Sequence, residues 1–348
     1  MTNSEMLESY RGRSVLITGG LGFIGSNLAH RLVEIGDVEV AIVDALLPEQ
    51  GGNLYNIQSI RDRVELHQVN LSDDWAINHI VGGVDYVFNL AGSVSHVDSM
   101  QYPQRDLQLN CEAHLTLLEA CRHFNPHVKI VFSSTRQVYG KSVYLPLDEQ
   151  HRTAPIDING VNKLAAEYYH LLYHRIYGTR AVCLRLTNTY GPRQQLRHHR
   201  QGVVPWFIRK ALEGEVLALF GDGRQKRDLT FVDDVVEALL LAGASEAADG
   251  EVFNVGGEKA VTLSEVAAQL ISITGRGSVE CSPFPVEQQM IDIGNAYLSY
   301  QKIKSTLGWQ PRTTLHDGLK RTVDYYREHG EYYLPANGVA KNAMSASQ

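Results

Sequence analysis

The chain has 348 residues, 44% apolar and 20% charged, with a formal net charge of −7. That composition supports one large or two medium globular domains and excludes a disordered or membrane-embedded chain. The acidic balance, with no Lys/Arg stripe, also argues against a nucleic-acid partner.

The densest basic stretch, Arg193–Arg200, holds three Arg and two His and reads as a solvated or substrate-facing loop. The four cysteines (Cys111, Cys121, Cys183, Cys281) show no paired spacing. They read as buried thiols of a reducing compartment, without a disulfide frame or metal site. The first residues carry no apolar targeting core, and no run of apolar residues is long enough to span a bilayer, so a cytoplasmic location is expected.

In chain order, Ser14–Thr18 is a short apolar run bounded by glycines and predicts a buried strand. A helical pattern follows over Phe23–Ile35, then a second strand over Val38–Asp44, which together make a βαβ unit. Further strands are predicted at Val64–Asn70, Tyr86–Leu90, Lys129–Ser133 and Ala181–Leu186, and helices at Asp106–Phe124 and Val161–Tyr177. This alternation predicts an α/β fold, a Rossmann doubly wound parallel sheet. After Gly191-Pro192 the alternation weakens. Residues 1–190 are therefore assigned to the doubly wound domain and 191–334 to a smaller C-terminal substrate-binding domain. Phe253–Val255 still reads as strand, so the two can interleave. From Pro335 the small, polar tail is expected to be disordered.

The segment Thr18–Gly25 places Gly19, Gly22 and Gly25 in a G-x-x-G-x-x-G spacing between a strand and a helix. Glycine there allows a tight turn and close backbone approach to a pyrophosphate, which the helix N-terminus then faces. Asp44, nineteen residues past Gly25, ends the second strand. Its carboxylate suits the adenosine ribose hydroxyls and repels a 2′-phosphate, which favours NAD over NADP.

Several segments together resemble the extended short-chain dehydrogenase/reductase family of nucleotide-sugar epimerases and dehydratases, of the UDP-glucose 4-epimerase type. They are the glycine spacing itself, Asn89–Gly92, Phe132–Gly140 (FSSTRQVYG), Arg185–Arg193 (RLTNTYGPR), Phe220–Gly223 with Arg227-Asp228, and Leu307–Pro311 (LGWQP). The resemblance implies that Gly19, Gly22, Phe23, Ile24, Gly25, Asp44, Asn70, Leu71, Leu90, Ala91 and Lys163 contact NAD. It gives Thr135 the catalytic Ser/Thr place. Asn188 and Arg227 would hold the substrate diphosphate, with Val204 and Phe220 at the nucleobase. A homodimer through the Asp106–Phe124 and Val161–Tyr177 helices is implied too.

One departure matters more than these likenesses. The family's Tyr-x-x-x-Lys reads Asn159-Gly160-Val161-Asn162-Lys163, so the lysine is kept and the tyrosine is not. An amide has no usable pKa and cannot take the proton of a sugar hydroxyl. Loss of a positioned base removes about 100- to 10,000-fold in rate. His96, Asp98 or a water held by Thr135 and Asn159 are the candidate replacements. Near Glu287–Asp292 the arginine common in the family is also missing.

Dehydratases of the family carry Asp-Glu after the catalytic Thr, and decarboxylases a Glu at the second of those positions. Here the pair is Arg136-Gln137. The expectation is a redox-neutral epimerase acting on a UDP-sugar. The alternatives are a dehydratase or decarboxylase, or a non-catalytic regulator that only binds NAD and nucleotide sugar.

Overall fold

The structure is a computed structural model that describes residues 3–198, 200, 202–284 and 292–334. Among the described residues twelve strands follow in order: β1 Arg13–Thr18, β2 Val38–Val43, β3 Glu65–His67, β4 Tyr86–Asn89, β5 Lys129–Thr135, β6 Arg180–Leu186, β7 Asn188–Tyr190, β8 Val216–Phe220, β9 Lys226–Phe231, β10 Val252–Val255, β11 Ala260–Thr262 and β12 Ser278–Ser282. Seven form one sheet in the order β10-β6-β5-β4-β1-β2-β3. All its pairings are parallel.

Alternating side chains of the central strands serve two separate cores, as a sheet wrapped on both faces requires. Val15 and Ile17 of β1, Phe88 of β4 and Val131 of β5 pack on one side. Leu16, Val87 and Ile130 pack on the other, against Leu117, Leu118 and Cys121 of the helix Ala113–Phe124. The predicted doubly wound sheet is thus present.

The strand order reverses between β1 and β4, whose neighbours run outward in opposite senses. At such a switch point the loops leaving the two carboxyl ends diverge and open a crevice. Gly19 follows β1 and Leu90 follows β4, so the chain itself places the glycine loop there. From Asn188 onward the chain supplies a three-stranded sheet, β11-β9-β7, and a two-stranded one, β12-β8. The strand expected at Phe253–Val255 is β10, paired with β6 in the large sheet.

Some elements differ from expectation. The third strand, predicted over Val64–Asn70, is only Glu65–His67. The helix predicted from Asp106 begins at Pro103, whose ring suits a first helical turn, and it widens into a π turn over Gln108–Glu112. The next predicted helix starts at Ile158 instead of Val161, because Asp157 caps it by accepting from Gly160 N at 2.7 Å. Cys111, Cys121 and Cys183 are buried, but Cys281, on the short β12, is exposed. The tail after Leu334 and the stretch 285–291 lie outside the described residues.

A buried ion pair locks the sheet end beneath the site. Arg185 of β6 donates to both oxygens of Glu167, at 3.0 and 2.5 Å, and Ser134 Oγ of β5 donates to Glu167 Oε2 at 2.6 Å.

Candidate active site

A cavity of about 340 Å³ lies over the carboxyl ends of β1, β4 and β5. Of the residues singled out by sequence, Gly19, Gly22, Phe23, Ile24, Gly25, Asp44, Asn70, Leu71, Leu90, Ala91, His96, Thr135, Asn159, Lys163, Asn188 and Val204 line it.

The glycines are there for geometric reasons. Gly19 has φ +69°, and a Cβ on it would stand 2.9 Å from the Ala91 backbone. A Cβ on Gly25 would collide with the carbonyl oxygen of Gly19. The loop is therefore pressed flat between β4 and the helix Phe23–Ile35, leaving the helix N-terminus facing the cavity.

Asp44 shapes the same loop. Its carboxylate accepts from Leu21 N at 3.0 Å and from Leu46 N at 2.8 Å, one amide to each oxygen. Burial pushes its pKa up, and the two amides pull it back. Each oxygen keeps a lone pair for a ribose hydroxyl. Asn70 accepts from Ser72 N at 3.0 Å, which closes a turn and sets its side chain at the cavity wall. Glycine cradle, carboxylate and cavity together fit a dinucleotide.

At the other end, the place of the missing tyrosine is filled by a buried amide network. Asn159 Nδ2 donates to Ser93 O at 2.9 Å and to Asp106 Oδ2 at 3.0 Å. Asn110 and Asn162 donate to the same carboxylate at 3.0 and 2.8 Å. Lys163 Nζ donates to Ser133 O at 3.3 Å. Burial pushes the Lys163 pKa down to about 8, against the pull of Asp106.

His96 meets Asp157 nearby, Nδ1 to Oδ2 at 2.7 Å. A carboxylate can only accept, so Nδ1 carries the proton and Nε2 is left as the acceptor. The Gln137 amide Nε2 lies against His96 Nε2. Burial alone would raise the Asp157 pKa, but the His96 hydrogen bond and the Gly160 amide hold it below its ordinary value. Asp98, the other candidate base, is turned away from the cavity towards Arg200, at 3.5 Å.

Two predicted substrate residues are not brought to this cavity. The Phe220 ring packs on Phe284, centroids 5.5 Å apart, and Arg227 pairs with Asp292 at 3.4 Å and contacts the Gly294 carbonyl. Within Arg193–Arg200, Arg193 bonds Asn27 at 2.7 Å and Arg200 bonds Glu49 at 3.1 Å, while Gln194 lines the cavity.

Sequence reasoning missed Asp106, Asn110 and Asp157, and gave Arg136 no part. Asp157 alone carried a local signal, as an acidic residue just ahead of a helical pattern.

Residues 15–256 match the model of a family described as the NAD dependent epimerase/dehydratase family. The UDP-glucose 4-epimerase of Mycolicibacterium smegmatis is 30% identical over 317 residues, which span 91% of this chain and 99% of that protein. A UDP-glucose 4-epimerase from Thermotoga maritima, solved with UDP-glucose, is 35% identical with a TM-score of 0.82, covering 91% of this chain and all of the other. The Thermus thermophilus UDP-glucose 4-epimerase, solved with NAD, is 32% identical with a TM-score of 0.80, over 90% of this chain and 99% of that one. The similar proteins also include dTDP-glucose 4,6-dehydratases. No helix among the described residues is long and apolar enough to cross a membrane.

Proposed function

The chain belongs to the NAD dependent epimerase/dehydratase family, and from that premise we propose that it is an epimerase whose substrate is a UDP-sugar. It is an enzyme that uses NAD to modify nucleotide sugars, by epimerisation or dehydration.

The observation that carries the choice of epimerisation is the make-up of the cavity wall. Asp44 is the one carboxylate among the described lining residues, and it stands by the glycine loop, away from Thr135. Eliminating water needs an acid and a base at the sugar. The two positions after Thr135, where such acids would stand, are Arg136 and Gln137. Epimerisation needs only reversible oxidation at one carbon, so a single proton carrier suffices. Bound NAD supplies the hydride acceptor and the returning donor.

The protein's part is binding and proton movement. Asp44 receives the adenosine ribose, Lys163 the nicotinamide ribose, and Asn188 and Val204 the substrate. Thr135 Oγ steadies the reacting hydroxyl. His96 takes its proton at Nε2, the Gln137 amide giving way, while Asp157 holds the ring and balances the charge that forms.

A homodimer fits the surface. Val161, Tyr168, Leu172 and Ile176 are exposed on the helix Ile158–Tyr177, beside exposed Phe124 of the helix Ala113–Phe124. A monomer mass by light scattering at micromolar protein would remove that part.

The decisive experiment incubates the NAD-loaded protein with UDP-, dTDP-, GDP- and CDP-sugars and follows products by mass spectrometry and NMR. An isomer of unchanged mass from a UDP-sugar is expected. A product lighter by water or carbon dioxide would overturn the epimerase reading.

A further inference from the structure

Beside Thr135 the cavity holds a cation, Arg136. Arg136 lines the cavity, makes no ion pair among the described residues, and spends one bond, Nη2 to Asn188 Oδ1 at 3.3 Å. Among the described residues its Nη1 is buried without a partner, and so is Nδ2 of Asn188. Two buried donors on adjoining cavity residues are thus unmet. Leaving such donors unpaired costs a folded protein stability, and both of these line a cavity that a ligand's acceptor atoms can enter.

The surrounding carboxylates do not meet that need. Asp228 accepts from Thr187 Oγ1 at 2.5 Å and from the Gly257 and Leu298 amides at 3.1 Å each. Asp157 is held by His96 and Gly160 N, and Asp292 by Arg227. Arg227 adds repulsion from the far side. With burial as the larger cause, it pushes the Arg136 pKa down to about 10, still charged at neutral pH.

We propose that Arg136, with Asn188 Nδ2, recognises a carboxylate on the sugar, so that the substrate is a nucleotide-linked sugar acid. This rests on the reading of the cavity as a nucleotide-sugar site and names its substrate class. The guanidinium presents a planar fork that matches a carboxylate with two parallel bonds. Its place in the chain, directly after Thr135 on β5, sets it at the reacting end of the cavity. A neutral hexose would leave the Arg136 charge buried and unmatched, and a site built around a polar partner rejects the analogue that lacks it.

The test is calorimetric titration of the NAD-loaded protein with UDP, UDP-glucose and UDP-glucuronate, and with the dTDP counterparts, for the parent, Arg136→Met and Arg136→Lys. The parent should bind the glucuronate ester at least tenfold more tightly than the glucose ester. Arg136→Met should abolish the preference with little effect on the nucleoside diphosphate alone, and Arg136→Lys should keep part of it. Equal affinities of the parent for the two esters overturn the proposal, whether or not the variants fold. An Arg136→Met variant that weakens the diphosphate and both esters alike also overturns it and assigns the arginine to phosphate. If none of the ligands binds the parent, the nucleotide-sugar reading falls as well.

Discussion

Asn159 and Asp106 are joined side chain to side chain, Nδ2 to Oδ2, at 3.0 Å, inside a carboxylate that also takes Asn110 and Asn162. The amide at the tyrosine's place is therefore a built part of the wall. Asn159→Tyr should cost about 1–3 kcal/mol of stability, because the phenol cannot serve both Ser93 O and Asp106. Turnover should fall with it. Urea unfolding and stopped-flow absorbance at the reduced-nicotinamide band check both, and a faster hydride transfer would contradict the assignment.

His96 and Asp157 should behave as a pair. His96→Gln should lower turnover by about 100- to 10,000-fold, the usual cost of a lost base. Asp157→Asn keeps a good helix cap but no longer fixes the ring through a charge, so it should lose activity with only a small drop in melting temperature. Steady-state rates beside thermal melts separate the two effects. An active His96→Gln enzyme would send the search for the base to a bound water.

Lys163 gives a pH signature. Folding lowers its pKa from 10.5 to about 8. The native state thus releases a proton that the unfolded chain keeps. In the linkage relation the unfolded state binds more protons between those values, so stability rises with pH from about 8 to 10.5. Below pH 8 both states are charged and the desolvation cost is felt in full. Without NAD, Lys163→Met should be the more stable protein at pH 7 by ~1–3 kcal/mol. That gap should close towards pH 10. Urea midpoints across pH provide the measurement, and a gap independent of pH would show that the ammonium is not desolvated.

Cofactor choice should rest on Asp44. NAD should bind at least about tenfold more tightly than NADP, a difference of ~1.4 kcal/mol. Asp44→Asn removes the charge while keeping one acceptor oxygen, and should narrow the ratio. Because the carboxylate also anchors Leu21 N and Leu46 N, the variant should melt earlier too. Fluorescence titration with both dinucleotides decides, and equal parent affinities would remove Asp44 from this role.

The cofactor side was legible because its signals are local. A run such as Val15-Leu16-Ile17 has to be buried on both faces, and Gly19 and Gly25 mark positions where a Cβ has no room. The chemistry at the opposite end was not legible, since it depends on distant residues meeting. Asp106 lies 53 residues from Asn159, and His96 lies 61 from Asp157. No periodicity predicts which buried carboxylate three asparagines will share. Arg136 was passed over for a similar reason: its type was plain, but only its unmet bonds give it a part.

The pairing of β10 with β6 limits how this protein can be divided. Val252–Val255 reaches the large sheet only after β7, β8 and β9 have been laid down outside it. A fragment ending near residue 190 would contain the glycine loop and Lys163 yet leave β6 with an open row of backbone donors and acceptors. Such an edge recruits other chains. A fragment ending there is accordingly not a transplantable module. Grafting it onto another chain would require a donor that returns a strand in the same register, Phe253 beside Leu184.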